Sequence, residues 1–223
     1  MENFPDVDVC GCYTKVIGGI PYCQKFPIDS DSIKAALVFY TSLPHPALMI
    51  RAIFFKEKKY DEDFQNAEDY RLWSLGIRDS NYHNIPDVLL HYRRHKNQVS
   101  EQHKVKQLEL TKKIMDSVLS DLGYDFNKEE LILHNAICSG QCVDVDNAVL
   151  WLSKLSKNNT HFDRNVFSLQ INQALWKVLN NASPKGIRTY FKYLELKKQY
   201  SFDTSFGQKA LFFLKLSIKW KRC

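Results

Sequence analysis

The rhythm of hydrophobic and polar positions changes once along this chain, near residue 100. Before that point the apolar runs are short and separated by turn residues. Asp8 to Ile17 alternates loosely and is rich in β-formers, which predicts a strand. Gly18-Gly19-Ile20-Pro21 is a turn. Asp29-Ser30-Asp31-Ser32 is an N-cap cluster for a helix over about 31–39, and Pro44 and Pro46 end that segment. Ala47 to Ile50 predicts a short buried strand, and Ile53 to Lys59 a short helix. Glu68-Asp69 opens a helix to about Arg78, with Leu72, Trp73 and Ile77 on its apolar side. Tyr82 to Ile85 and Val88 to Tyr92 are strand-like. Pro86-Asp87 separates them and marks an edge or a bend.

After Ser100 the apolar residues recur at helical spacing. Val105, Leu108, Ile114, Met115, Val118 and Leu122 belong to a helix stopped by Gly123. Asn127 caps a helix over about 128–139, and further helices cover about 144–156, 163–181, 184–199 and 205–221. The pattern predicts an α/β piece over 1–100 followed by an all-helical region over 101–223.

Composition narrows the class. At 44% hydrophobic and 25% charged residues the chain is globular material. No apolar run reaches the roughly 18 residues of a membrane span. The acidic opening Met1 to Asp6 carries no apolar signal core, which points to the cytosol and to reduced thiols. Cys10 and Cys12, and Cys138 and Cys142, lack the paired spacing of zinc sites. The net charge of +6 is uneven: residues 1–100 hold 12 Lys/Arg against 13 Asp/Glu, leaving 19 against 12 for the rest. An anionic partner is therefore expected on the helical side.

The candidate chemistry lies in His45 to Ser100. A carboxylate in the first turn of a helix is favoured in its ionised form by the helix dipole, so Glu68 and Asp69 suit proton acceptance from a hydroxyl. Acids are equally common in any first helical turn. Asp61, Glu62 and Asp63 could offer oxygens to a divalent cation or form a solvated turn. Arg93 and His95 share a strand face, with Arg94 pointing away, which suits a diphosphate. A basic edge strand that discourages aggregation reads the same way. His45, between two prolines, has a rigid backbone.

Taken in order, His45-Pro46-x-x-Met49-x-Arg51, Tyr60-Asp61-Glu62-Asp63-Phe64, Ala67-Glu68-Asp69-Tyr70-x-Leu72-Trp73 and Ile85-Pro86-x-Val88-Leu89-x-x-Tyr92-Arg93-x-His95 resemble the C-terminal half of the catalytic domain of family 2 glycosyltransferases. The likeness is to the bacterial, non-processive enzymes of capsule, O-antigen and exopolysaccharide synthesis, and runs from about Asn3 to Ser100. It implies part of a GT-A fold and inverting transfer from a nucleotide-sugar donor to a glycan or lipid-linked acceptor. It makes Asp69 the general base, with Glu68 beside it on the acceptor. Arg93 and His95 then approach the donor diphosphate, and His45 and Arg51 lie near the sugar pocket. Trp73 and Leu72 pack the helix onto the sheet.

The family's uridine-binding strands and its Asp-x-Asp motif, which holds Mg²⁺ or Mn²⁺, have no match here. The chain is therefore expected to be the acceptor-side half only and to bind no metal by itself, the other half being lost to a truncated, split or miscalled gene or supplied by a complementary N-terminal chain. Its parallel sheet would lack its first strands and expose an edge. A non-catalytic remnant, or a subunit docking on a membrane or partner, is the competing expectation. Lys209, Lys215, Lys219, Lys221 and Arg222 alternate with Leu211, Phe213, Leu216 and Trp220, which suits either an anionic membrane surface at the inner face or a packed terminal helix. No nucleic-acid module accompanies the charge.

Overall fold

The computed structural model of the chain describes residues 1–95, 103–181 and 195. They form two compact units, the described residues of 1–125 with Thr160–Phe167, and Phe126–Asn159 with the described residues from Ser168 on.

The first unit is built on β1 (Val9–Ile17), whose Val9, Cys12, Thr14 and Val16 are buried. Its C-terminal half pairs antiparallel with β2 (Tyr22–Gln24), and its first residues pair antiparallel with β3 (Met49–Ile50). Along its whole length it pairs parallel with β4 (Tyr82–Arg93), from Val9 opposite Tyr82 to Ile17 opposite Arg93. The sheet is thus small and mixed, where the sequence suggested a parallel one. Ala47 to Ile50 is also not a buried strand. His45–Ala47 forms a 3-10 turn, and only Met49–Ile50 pairs, with Met49 61% exposed.

The two strand-like runs around Pro86 are one strand. Ile85 faces Cys12 and Val88 faces Tyr13, so Pro86 and Asp87 bulge out of register. Proline has no N–H for a ladder, and a bulge on a strand paired along one side accommodates it. Gly11 is required in mid-strand by a close approach. A Cβ there would lie 2.2 Å from Asn84 Oδ1. Asn84 donates through Nδ2 to the carbonyls of Pro27 and Ser42 at 2.7 and 3.1 Å, tying two loops to the sheet.

Three helices fill the crossover between β1 and β4: α1 (Ser30–Leu37), α2 (Ala52–Lys58) and α3 (Glu68–Leu75). Asp29 caps α1, accepting the Ser32 N–H at 2.8 Å. The core joins Ile33 and Leu37 of α1, Phe54 of α2 and Leu72 and Trp73 of α3. Two tyrosine hydroxyls pin the layers: Tyr82 donates to the Trp73 carbonyl at 2.7 Å, and Tyr70 to the Leu37 carbonyl at 2.6 Å. Gly76 stops α3 earlier than the expected Arg78.

The boundary expected near residue 100 falls outside the described residues. Beyond it, α4 (Lys104–Asp121) belongs to the first unit and packs against α3. In the second unit lie α5 (Lys128–Ser139) and α6 (Val145–Lys157), followed by most of α7 (Arg164–Asn181). Asn127 and Glu130 cap α5 reciprocally, and Gly140 ends it with φ 72°. His134 of α5 is fully buried, and its Nδ1 accepts from the Trp151 indole at 3.2 Å. The helices expected over 184–199 and 205–221, with their basic aromatic pattern, lie outside the described residues apart from Glu195. Among the described residues no helix is long and apolar enough to cross a membrane.

Candidate active site

His45, Glu68, Asp69, Arg93 and His95 line one cleft of about 920 Å³ in the first unit. A smaller recess of about 580 Å³ shares His45 and Glu68 with it, and adds Tyr60, Asp61, Glu62 and Gln65.

The acidic side of the cleft is the start of α3. Its N-cap, Ala67, has no capping side chain, and both acids compensate. Glu68 Oε2 accepts the Asn66 N–H at 2.5 Å, and Asp69 Oδ1 accepts the Tyr70 N–H at 2.7 Å. The helix-dipole argument expected an easily ionised Asp69. Burial overrides it and pushes the Asp69 carboxyl above the ordinary aspartate range. The Tyr70 N–H and the charge of His45 oppose that rise, and Glu68 adds to it. A carboxylate that binds its proton more tightly is also a stronger base.

His45 lines the same cleft from the 3-10 turn. Prolines 44 and 46 stiffen its backbone, and its ring meets Trp73 edge-on with centroids 6.2 Å apart. Its Nε2 lies 2.9 Å from the Tyr60 hydroxyl. The loop between α2 and α3 is bracketed by Lys59 at φ 54° and Asn66 at φ 82°, both non-glycine residues in the left-handed half of backbone space. Asp61 is occupied within this loop. It accepts the Asp63 N–H at 3.1 Å, and Arg71 Nε lies 3.6 Å from it. Among the described residues no group of three His, Cys, Asp or Glu side chains is arranged to hold a metal ion.

The basic side is the end of β4. Arg93 is its last residue and His95 follows two positions on; both line the cleft, and Arg94 does not. Carboxylates and cationic groups thus face one space from separate elements. Arg51 is elsewhere. Its Nε donates to the Val7 carbonyl at 2.7 Å and its Nη2 to those of Met1 and Phe4, both at 3.1 Å. Its position is that of a backbone clamp and not of a cleft residue. Trp73, fully buried, is core as expected.

Over 92 residues, 40% of its length, the chain is 35% identical to a Haemophilus influenzae protein named an uncharacterized glycosyltransferase. The match spans 28% of that relative. No protein-family model and no solved structure matches the sequence.

Several cleft residues were not singled out by the sequence. Thr14 and Gln24 come from paired positions on β1 and β2, and Thr14 Oγ1 donates to Gln24 Oε1 at 3.5 Å. Gln107 comes from α4, and its Nε2 donates to the Asn66 carbonyl at 2.8 Å. A helix outside the His45 to Ser100 stretch thereby braces the loop that presents Glu68 and Asp69. Asn66 left one signal: asparagine is among the few residues that tolerate positive φ.

Proposed function

We propose that this cleft is the acceptor side of a glycosyl-transfer site of the family 2, GT-A type. The observation that carries the reading is that five residues from three separate segments of the chain, His45, Glu68 with Asp69, and Arg93 with His95, line one cleft. The similarity to a protein named a glycosyltransferase supports it independently. Asp69 takes the proton of an acceptor hydroxyl, and Glu68 and His45 hold the acceptor. The oxygen so activated attacks the anomeric carbon of a nucleotide-sugar from the face opposite the leaving group. The bond to the diphosphate breaks with inversion, and Arg93 and His95 offset the charge that develops on the departing phosphate. Holding the hydroxyl and its base together removes most of the entropic cost of the encounter.

Residues 1–100 are the acceptor half in this reading, and residues outside this sequence supply the donor half with its Mg²⁺ or Mn²⁺. The acceptor is a glycan or lipid-linked glycan of a cell-surface polysaccharide, met at the inner face of the membrane. The test is a transferase rebuilt by joining a family donor half to this chain. Asp69→Asn should abolish transfer and leave donor binding intact; retained transfer would remove Asp69 as the base. Calorimetry of this chain alone with UDP-sugars and Mn²⁺ should show no binding, and clear binding would refute the division into halves.

A further inference from the structure

His45 lines both recesses, and its ring is held from several directions. The flanking prolines restrict its backbone, Trp73 meets the ring edge, and the Tyr60 hydroxyl lies 2.9 Å from Nε2. Tyr60 is itself set in place. Phe55 packs against it edge-to-face, with ring centroids 5.1 Å apart. The residue before it, Lys59, adopts φ 54° and ψ 161°, a conformation that a lysine reaches only at a cost. Strain of this kind persists where the surroundings fix the backbone, and here it turns the chain so that Tyr60 meets His45.

Groups of both signs surround the pair. Asp69 is faced by Glu68 on its own helix and by His45 from the 3-10 turn. Arg93 and His95 stand at the end of β4 on the same cleft. Asp61 and Glu62 line the second recess, and Arg71 lies beside Asp61. A phenol can donate to Nε2 of a neutral imidazole and accept from Nε2–H of the imidazolium. The Tyr60 contact therefore survives either state of His45, and the ring stays put as its charge changes.

We propose that Tyr60 is a positioning residue that fixes the His45 imidazole at the wall of the cleft it shares with Asp69, and that its influence on Asp69 runs through that ring. Its part in catalysis rests on the assignment of Asp69 as the base. In this arrangement Tyr60 acts on Asp69 only through His45, and that dependence can be measured without turnover.

The experiment is an NMR titration of the full chain, following the Asp69 carboxyl carbon and the His45 ring nitrogens. It compares wild type, Tyr60→Phe, His45→Gln and the double variant. Phenylalanine keeps the packing against Phe55 and removes only the hydroxyl. His45→Gln should raise the proton affinity of Asp69 by roughly threefold or more, since it removes a neighbouring positive charge. Tyr60→Phe should move Asp69 in the same direction by less, and should alter the His45 nitrogen shifts. In the double variant Asp69 should titrate as in His45→Gln alone, because the two residues act in series. The proposal is overturned if Tyr60→Phe leaves Asp69 unmoved, or moves it as far in the His45→Gln background as in wild type. The rebuilt transferase separates the two claims. Coupling with transfer retained by Asp69→Asn removes the base and leaves the pair. No coupling, with transfer abolished, removes the pair alone.

Discussion

Replacing Asp69 by asparagine should make the folded protein more stable at neutral pH, and the gain should vanish in acid. The reason lies in the balance of forces on one carboxylate. Burial and Glu68 disfavour its charge, the Tyr70 N–H and His45 favour it, and burial wins. Asparagine keeps an oxygen for the Tyr70 N–H, which now sits 2.7 Å from Oδ1, and carries no charge to desolvate. The sign follows from proton linkage. The folded state holds the Asp69 proton to higher pH than the unfolded chain, whose aspartates titrate near 3.9. Below that value both states are protonated and the substitution is close to neutral. As pH rises the unfolded chain ionises first, and the wild type loses stability until the folded-state carboxyl has also ionised. Each tenfold difference in proton affinity corresponds to about 1.4 kcal/mol. In a chain of this size that raises Tm by roughly 3–5 °C. Thermal unfolding of both proteins at pH 4 and pH 7.5, at constant ionic strength, measures the difference. Asp69→Ala is the control: it also removes the acceptor for the Tyr70 N–H, which costs about 1 kcal/mol at both pH values. An asparagine variant less stable than wild type at pH 7.5, or equally shifted at both pH values, would refute the reasoning.

Two further substitutions test the frame of the site. Lys59→Gly should relieve the strained backbone ahead of Tyr60 and stabilise the fold by about 1 kcal/mol, the strain removed exceeding the entropy glycine adds to the unfolded chain; a loss of stability in urea unfolding would show that the conformation is unstrained. Gly11→Ala should cost roughly 2–3 kcal/mol, because its methyl group would sit 2.2 Å from Asn84 Oδ1 and 3.0 Å from Leu48, and Asn84 cannot withdraw without breaking two hydrogen bonds; an unchanged denaturation midpoint would contradict that packing.

What the sequence disclosed, and what it withheld, follows from the range of the forces involved. Caps and periodicity are local, so Asp29, Asn127 and the spans of α1, α5, α6 and α7 could be read directly from neighbouring residues. Strand continuity across Pro86 could not, because the bulge that absorbs a missing N–H depends on a partner strand some 70 residues away in the chain. The same division applies to the cleft. Motif order pointed to His45, Glu68, Asp69, Arg93 and His95, and the fold brings all five to one space. Arg51, matched by the same motif, went instead to three backbone carbonyls, a use no spacing rule encodes.

The proton affinity of Asp69 shows why position alone does not specify chemistry. Its place in the first turn of α3 implies an easily ionised carboxylate, and that inference holds for an exposed helix. At the cleft wall the same group is partly removed from water, and the desolvation cost of its charge exceeds what one backbone N–H and a neighbouring imidazole return. The loop that leads into α3 carries positive φ at Lys59 and Asn66, meets His45 through the Tyr60 hydroxyl and is braced by Gln107 from a helix beyond the recognisable motifs. Each of these would be assigned a structural role in isolation. Together they determine whether the carboxylate beside them is a spectator or a base.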